Sequence, residues 1–272
     1  MIVIQQVGRL GNSMFQFAFG FAMSKKLKTN FIFNTSYLEE YFELGDYNSP
    51  IKKVLRTFMY RLSLKFSTYT SVDFNQFVHP ESIINQAKNN QVVYGYFQSE
   101  FFFEGHREEI IKLFKFNKKK IAEYGKNHDK ILEGESVCIA IRLTDYLTWK
   151  IEEINNVTPE LTWKYFIKVL DSIPGIEKKN IFFISDDIAT VKNTFSYSAD
   201  AIFIEDPFEQ LYCLQHAKHI IISNSTFQWW GAWLNQRKDK VVYAPKYWLG
   251  HKVKIEYPAK IIPDDWIQIE VD

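Results

Sequence analysis

Four polar turns in this sequence gather residue types that can hold an anion. Gly8-Arg9-Leu10-Gly11-Asn12 follows an apolar stretch and precedes a helix-like one. Glycines let the backbone come close to a ligand, and amides at a helix start favour negative charge. Arg9 adds a donor fork and Asn12 an amide at the same rim, although an ordinary tight turn looks similar. Arg142 and Asp145 follow the apolar run Ser136–Ile141. An arginine at a strand end can grip a phosphate at two points; the competing structural reading is an Arg142–Asp145 ion pair. Ser185-Asp186-Asp187 sets two carboxylates side by side, as Mg²⁺ or Mn²⁺ would require, yet Ser and Asp after a strand are also common helix caps, and capping is the stronger reading. Ser223-Asn224-Ser225-Thr226-Phe227 places hydroxyls and amides at a helix start, a compact anion cradle. Trp229, Trp230 and Trp233 come next. On a helix these three cannot share one face, so part of the cluster is expected in the core and part along a cleft.

The turns fall where short apolar strands hand over to helices. Met1–Gln5, Ser136–Ile141, Asn180–Ile184 and His219–Ile222 read as strands. Met14–Lys26 reads as a helix with Phe15, Ala18, Phe19, Ala22 and Met23 on one face; Ile188–Phe195 and Phe227–Asn235 read as two more. This alternation predicts an α/β fold with parallel sheets, whose ligands sit at the C-terminal ends of strands. The charged stretch Lys118–Glu135 has no long apolar run, which predicts a boundary between a domain at 1–133 and another at 134–272. Residues 51–66 hold five basic residues and no acid. At roughly 100° per residue Ile51, Val54, Leu55, Phe58, Met59, Leu62 and Phe66 share an arc, with Lys52, Lys53 and Arg56 opposite and Arg61 and Lys65 flanking. A helix packing that arc on the core is the plainer expectation, and peripheral contact with an anionic membrane the sharper one.

Composition excludes several classes. Of 272 residues 46% are hydrophobic, and only 11 are Gly and 8 Pro, against collagen-like, repetitive or disordered chains. A net charge of +1 gives no global field for nucleic acid, so a phosphate-bearing ligand needs a local site. The two cysteines, Cys138 and Cys213, lie in apolar runs, so neither a disulfide framework nor a cysteine-built metal site is expected. The four-residue apolar start is too short for a signal segment, and a cytoplasmic protein beginning at Met1 is expected.

Taken in order, GRLGNSMFQFAFG, VYGYFQSEFFF, AIRLTDY, FFISDD and IIISNSTFQWWGAWLN resemble the motifs of bacterial α-1,2-fucosyltransferases, glycosyltransferase family 11, from residue 1 to about residue 235. The resemblance implies a GT-B-type fold, two Rossmann-like domains facing a cleft, the first on the acceptor side and the second binding the nucleotide-sugar. It implies inverting transfer from GDP-fucose to the 2-hydroxyl of a galactose-type acceptor, an oligosaccharide or lipid-linked glycan of surface polysaccharide synthesis. No cofactor and no essential metal are implied. Arg142 matches the first arginine of the family's H-x-R-R-x-D-Y motif, expected on the donor pyrophosphate, and Asp145 and Tyr146 match its end. Ser225 and Thr226 match hydroxyls expected near the pyrophosphate, and Asn12 the asparagine of the glycine turn. Asp186, Asn224 and Phe227 fall within matched motifs and are grouped with Gly8, Arg9 and Gly11 as substrate-binding. Ala140 stands where the family has histidine and Leu143 where it has a second arginine. Gln210, preceded by Glu209, stands where an acid is expected; in relatives that histidine and acid are expected on guanine. Asp145, Glu152, Glu153 and Asn12 are the candidates for the base. Two rival readings are the same fold using another donor, such as GDP-colitose, and a sugar-nucleotide binder without catalysis.

Overall fold

The computed structural model describes residues 1–65, 70–73, 76–123, 128–132, 134–195 and 200–272. The chain divides into two compact units: 1–121 with 258–263, and 122–257 with 264–272. The division at Ile121/Ala122 falls earlier than the sequence boundary at 133/134, and the first unit takes back a short piece of the C-terminal region.

The first unit is built on a parallel sheet of β1 (Ile2–Gln5), β2 (Phe31–Ile32), β3 (Thr70–Asp73) and β4 (Gln91–Tyr94), in the order β2-β1-β4-β3. In register, Ile2 lies beside both Phe31 and Gln91. Its helices are α1 (Leu10–Lys26), α2 (Pro50–Lys65), α3 (Pro80–Gln86) and α4 (Arg107–Leu113); α5 (Lys118–Glu123) crosses the division between the units. α1 starts at Leu10, four residues before the expected Met14, so Gly11 and Asn12 belong to its first turn. It is also buried nearly all round rather than on one face. A helix apolar on every side is satisfied only by full enclosure, and its phenylalanines find ring partners on several sides. Phe17 meets Phe31, Phe33, Tyr47 and Phe114, and Phe19 stacks on Phe97 with centroids 3.8 Å apart.

α2 departs from the plainer expectation for 51–66. Met59 and Tyr60 pack on the Val3–Ile32–Val92 cluster, and the Tyr60 hydroxyl accepts from the Gln6 N–H at 3.1 Å. These anchors fix the helix's rotation, and Val54, Leu55, Phe58 and Leu62 are left exposed instead of facing the core. Phe66 and the side chains of Ile51, Lys52, Lys53 and Arg56 lie outside the described residues.

The second unit contains β5 (Ser136–Ile141), β6 (Asn180–Ser185), β7 (Ile202–Ile204), β8 (His219–Ile222), β9 (Val241–Pro245) and β10 (Ile267–Ile269), all parallel, in the order β7-β6-β5-β8-β9-β10. Its helices are α6 (His128–Leu132), α7 (Trp163–Ser172), α8 (Ile188–Thr194), α9 (Pro207–His216) and α10 (Thr226–Leu234). The stretch at 118–135, read as a bare boundary, thus holds α6 and α5 among its described residues. Val137, Ile139 and Ile141 of β5 pack with Tyr165, Phe166 and Val169 of α7 and Val191 of α8. The alternate residues point the other way, where Cys138 meets Cys213 of α9. α10 lies close on α9: a Cβ on Gly231 would come within 2.5 Å of the Leu214 side chain. None of the described helices is long and apolar enough to cross a membrane.

The tryptophan cluster is all core. Trp229, Trp230 and Trp233 are buried, with Trp229 stacked on Trp233 at 5.8 Å and Trp230 edge-on to both. The expected share of this cluster along a cleft is absent, because the side of α10 away from α9 is covered as well, by Trp266 against Trp229 at 5.6 Å. Trp229→Ala should therefore cost about 3–5 kcal/mol of stability, read as a lower urea midpoint. Unchanged stability with altered activity would instead put the ring at a ligand.

Candidate functional site

In the second unit the strand order runs outward from β5 to β7 on one side and from β8 to β10 on the other. A crevice opens where such an order reverses, at the strands' C-terminal ends. Here that point lies between β5 and β8. Ala140 pairs in register with Ile222, so the turns after the two strands leave side by side. The Arg142 N–H donates to Ser223 Oγ at 3.0 Å, and that hydroxyl donates to the Ala140 carbonyl at 3.0 Å. Gln228 of α10 accepts from the Ser223 N–H at 2.7 Å. Two of the four sequence-predicted turns are therefore joined by direct hydrogen bonds.

A third turn closes on them. Arg142 Nη2 donates to Asp145 Oδ1 at 2.6 Å, while Nη1 lies 3.3 Å from Asp186 Oδ2. The guanidinium also lies over the Tyr146 ring, 5.5 Å from its centre. Asp186 accepts from the Leu143 N–H at 2.9 Å and from the Thr144 hydroxyl. The ion pair weighed in the sequence is formed, and Asp186 joins it. Asp187 takes no part: it caps α8, accepting from the Thr190 N–H at 3.1 Å and its hydroxyl at 2.7 Å, which holds its carboxyl below the ordinary range. Among the described residues no group of three or more His, Cys, Asp or Glu is placed to hold a metal ion.

The Ser223–Phe227 turn divides its labour. Asn224 is buried and donates from Nδ2 to the Pro159 carbonyl at 2.8 Å, so its side chain braces the turn from within. The Tyr146 hydroxyl donates to the Asn224 carbonyl at 3.0 Å, tying the turn back to the arginine loop. Ser225 is the N-cap of α10, with no side-chain bond to the helix amides, and Thr226 and Phe227 are half-buried in the first turn.

At the start of α9, Asp206 caps by accepting from the Phe208 and Glu209 amides at 2.8 and 3.1 Å. Gln210, grouped in the sequence with substrate contacts, turns inward. Its Nε2 donates to the carbonyls of Ser185, Ile204 and Glu205 at 2.8, 3.2 and 3.1 Å, clasping the ends of β6 and β7. An aspartate could not donate there, which gives the glutamine a structural reason. Glu209 is the half-buried carboxylate of this turn, with no hydrogen-bond partner found among the described residues; burial, and then Asp206, push its carboxyl above the ordinary range. Ala140, in the family's histidine position, is wholly buried in β5, where a larger side chain would overpack the sheet.

In the first unit the glycine turn follows β1, which lies between β2 and β4 in the sheet. Gly8 has φ +79°, and a Cβ on it would come within 2.2 Å of Asn12 Nδ2. Asn12 Oδ1 accepts from Gln98 Nε2 at 2.9 Å, so the Asn12 amino group is turned toward the glycine. Gln16 links the turns after both strands, donating to the Gly95 carbonyl at 3.0 Å and accepting from the Val7 N–H at 3.2 Å. Gly8 and Arg9 are exposed, whereas Gly11 is buried and serves packing. Gln16 and Gln98 were not singled out from sequence. Their signal was a glutamine inside an apolar run, in FQFAF and YFQSE. Of the base candidates, Asp145 is tied to Arg142, Asn12 to Gln98, and Glu152 and Glu153 are exposed on a 3-10 turn.

Two parallel-sheet units with polar turns at their strand ends have the architecture of α/β ligand-binding enzymes, and comparison with known proteins narrows the class. Residues 1–270 match the profile of glycosyl transferase family 11; the chain belongs to that family and is a glycosyltransferase. It is 26% identical to the O-antigen biosynthesis glycosyltransferase WbnK of Escherichia coli over 96% of this chain and 98% of that one. It is 27% identical to an α-1,2-colitosyltransferase of Escherichia coli over 99% of each. Among solved structures, POFUT1 in complex with GDP shares the fold, with a TM-score of 0.53 at 13% identity over 89% of this chain and 97% of that one. The fold is of the GT-B type.

The Gln210 clasp predicts a pH-dependent defect. Gln210→Glu sets a carboxylate against three carbonyls, which should cost at least about 2 kcal/mol at neutral pH and less in acid, where the new carboxyl is protonated. Urea midpoints at two pH values read this directly.

Proposed function

We propose that this glycosyltransferase transfers fucose from GDP-fucose, with inversion, to the 2-hydroxyl of a galactose-type acceptor in surface polysaccharide synthesis. In this reading the second unit binds the nucleotide-sugar and the first serves the acceptor. The observation that carries it is the meeting of Arg142 with the Ser223–Thr226 turn where the β5–β8 order reverses. The O-antigen name of one relative and the GDP bound to POFUT1 support the pathway and the nucleotide.

The acceptor hydroxyl would attack the anomeric carbon from the face opposite the departing GDP, through an oxocarbenium-like transition state. The C–O bond to the β-phosphate breaks, and the charge growing on that oxygen is met by Arg142 and by the Ser225 and Thr226 hydroxyls and the first amides of α10. A phosphate oxygen reaching Arg142 takes the place of Asp145 on the guanidinium, while Asp186, held by the Leu143 amide, keeps the fork aligned. Asp145 therefore belongs to the leaving-group side. An inverting base must lie across the sugar from it, which leaves the carboxylates Glu152 and Glu153; Asn12, a neutral amide, can take no proton. Late deprotonation asks only for a modest base.

Leaving-group charge met in this way needs no metal, and Asp186 and Asp187 are engaged elsewhere. Turnover should survive EDTA, whereas Arg142→Ala should lower kcat/KM by at least about ten- to a hundredfold in a folded protein, with little recovery in Arg142→Lys. Loss of activity in EDTA restored by Mg²⁺, or normal turnover in Arg142→Ala, overturns this assignment.

For the base, Glu209 takes the place of the family's acid, since Gln210 is spent on the β6–β7 clasp. An ionised Glu209 accepts the guanine N–H pair, so GDP binding favours the deprotonated form. GDP should raise the melting temperature more than UDP does. Because the Glu209 carboxyl sits above its ordinary range, the GDP-induced shift should grow as pH rises through that range, and Glu209→Gln should flatten this dependence. A larger shift with UDP than with GDP refutes the donor. The 27% identity to a colitosyltransferase favours GDP-colitose as the second reading; the two donors share a base, so turnover with each sugar nucleotide separates them. The setting proposed is the cytoplasm, with peripheral contact to a membrane's inner face through 51–66.

A further inference from the structure

α2 turns a continuous apolar stripe away from the protein. Val54, Leu55, Phe58 and Leu62 are 72, 60, 61 and 38% exposed. At roughly 100° per residue they fall within an arc of about 100°; of the residues that hold the helix to the sheet, Tyr60 lies opposite this arc and Met59 at its edge. Apolar surface of this kind, gathered on one helix rather than scattered, marks a contact site. Arg61 is exposed at its flank and Lys65 at its C-terminal end, and the whole of 51–66 carries five basic residues and no acid.

The charge selects the occupant. A second copy of the same face would set cations against cations with no counter-charge within the segment, whereas a surface of anionic headgroups complements them and offers an apolar layer just beneath. We propose that α2 is a docking helix for an anionic phospholipid surface, with Val54, Leu55, Phe58 and Leu62 entering the headgroup boundary and Arg61 and Lys65 lying among the phosphates. This rests on the peripheral setting proposed above and names the residues that make it. The Tyr60–Gln6 hydrogen bond ties the docked helix to the end of β1, directly before the glycine turn.

The test is co-sedimentation of the full chain with vesicles of phosphatidylcholine alone or mixed with phosphatidylglycerol, beside sedimentation velocity without lipid. Binding should require phosphatidylglycerol and weaken as salt is raised. Arg61→Gln and Lys65→Gln should each lower the partition coefficient about fivefold at low salt. Leu55→Ser with Phe58→Ser should lower it at least about tenfold without changing the melting temperature, since both side chains are exposed. Absence of binding to the anionic vesicles, or binding indifferent to the double substitution, overturns the proposal. A lipid-independent dimer abolished by Phe58→Ser assigns the stripe to a second copy and overturns it too. The GDP-induced melting shift is measured without lipid, so its survival when vesicle binding fails limits the failure to this surface.

Discussion

The hydrogen bond from the Arg142 amide to the Ser223 hydroxyl fastens together two chain segments 81 residues apart in sequence. It forms because β5 and β8 are neighbours in the sheet and end at the same level, with Ala140 opposite Ile222. Everything else in the second unit's polar rim builds on that junction. Gln228 fixes the Ser223 amide, Tyr146 reaches the Asn224 carbonyl, and Asp186 of the β6 turn gathers the Leu143 amide and the arginine. A buried core of β-branched and aromatic side chains beneath, Val137, Ile139, Ile141, Phe183 and Tyr165, keeps the strand ends from shifting. With interiors packed this densely, a displaced strand would disturb every bond in the rim.

Much of this was legible in sequence where the signal was local. The apolar runs at Ser136–Ile141 and His219–Ile222 became strands with those limits, because short β-branched runs between polar turns have little else to form. The parts that were not legible depend on tertiary partners. α1 looked one-faced because its Phe17 and Phe21 have no periodic warning that Phe31, Phe33 and Phe114 would surround the helix. α2 looked like a helix whose apolar arc would face inward, but the hydroxyl of Tyr60 and the stem of Met59 decided its rotation. Glu209 and Gln210 are adjacent and similar in type, and only the ends of β6 and β7 reveal that the amide, not the acid, is the clasp. β2 is only two residues long, and β3 (TSVD) has Val72 as its only apolar residue, so neither shows a pattern.

The two units repeat one physical scheme with different chemistry. Each has a parallel sheet, and each spends buried glutamines at its strand ends: Gln16 on the Gly95 carbonyl and Gln98 on the Asn12 side chain in one, Gln210 and Gln228 on main-chain groups in the other. A neutral amide can satisfy both donors and acceptors of exposed backbone at a strand end without adding charge. The turns are thereby stiffened while the net charge of each rim is left to the few ionised groups, Arg9 in the first and Arg142 with its two carboxylates in the second.

The grouping of one guanidinium with two carboxylates, Asp145 and Asp186, makes the resting rim slightly negative. An anion arriving there is entering a ligand-exchange reaction rather than filling an empty positive hole. A lone phosphate or a chloride ion gains one contact and must dislodge one, so it wins little. A pyrophosphate, reaching Arg142 with one phosphoryl group and the α10 amides with the other, gains from both at once. If the donor binds as proposed, Asp145 would act as a built-in competitor, holding off simple anions and returning to the arginine as the diphosphate leaves.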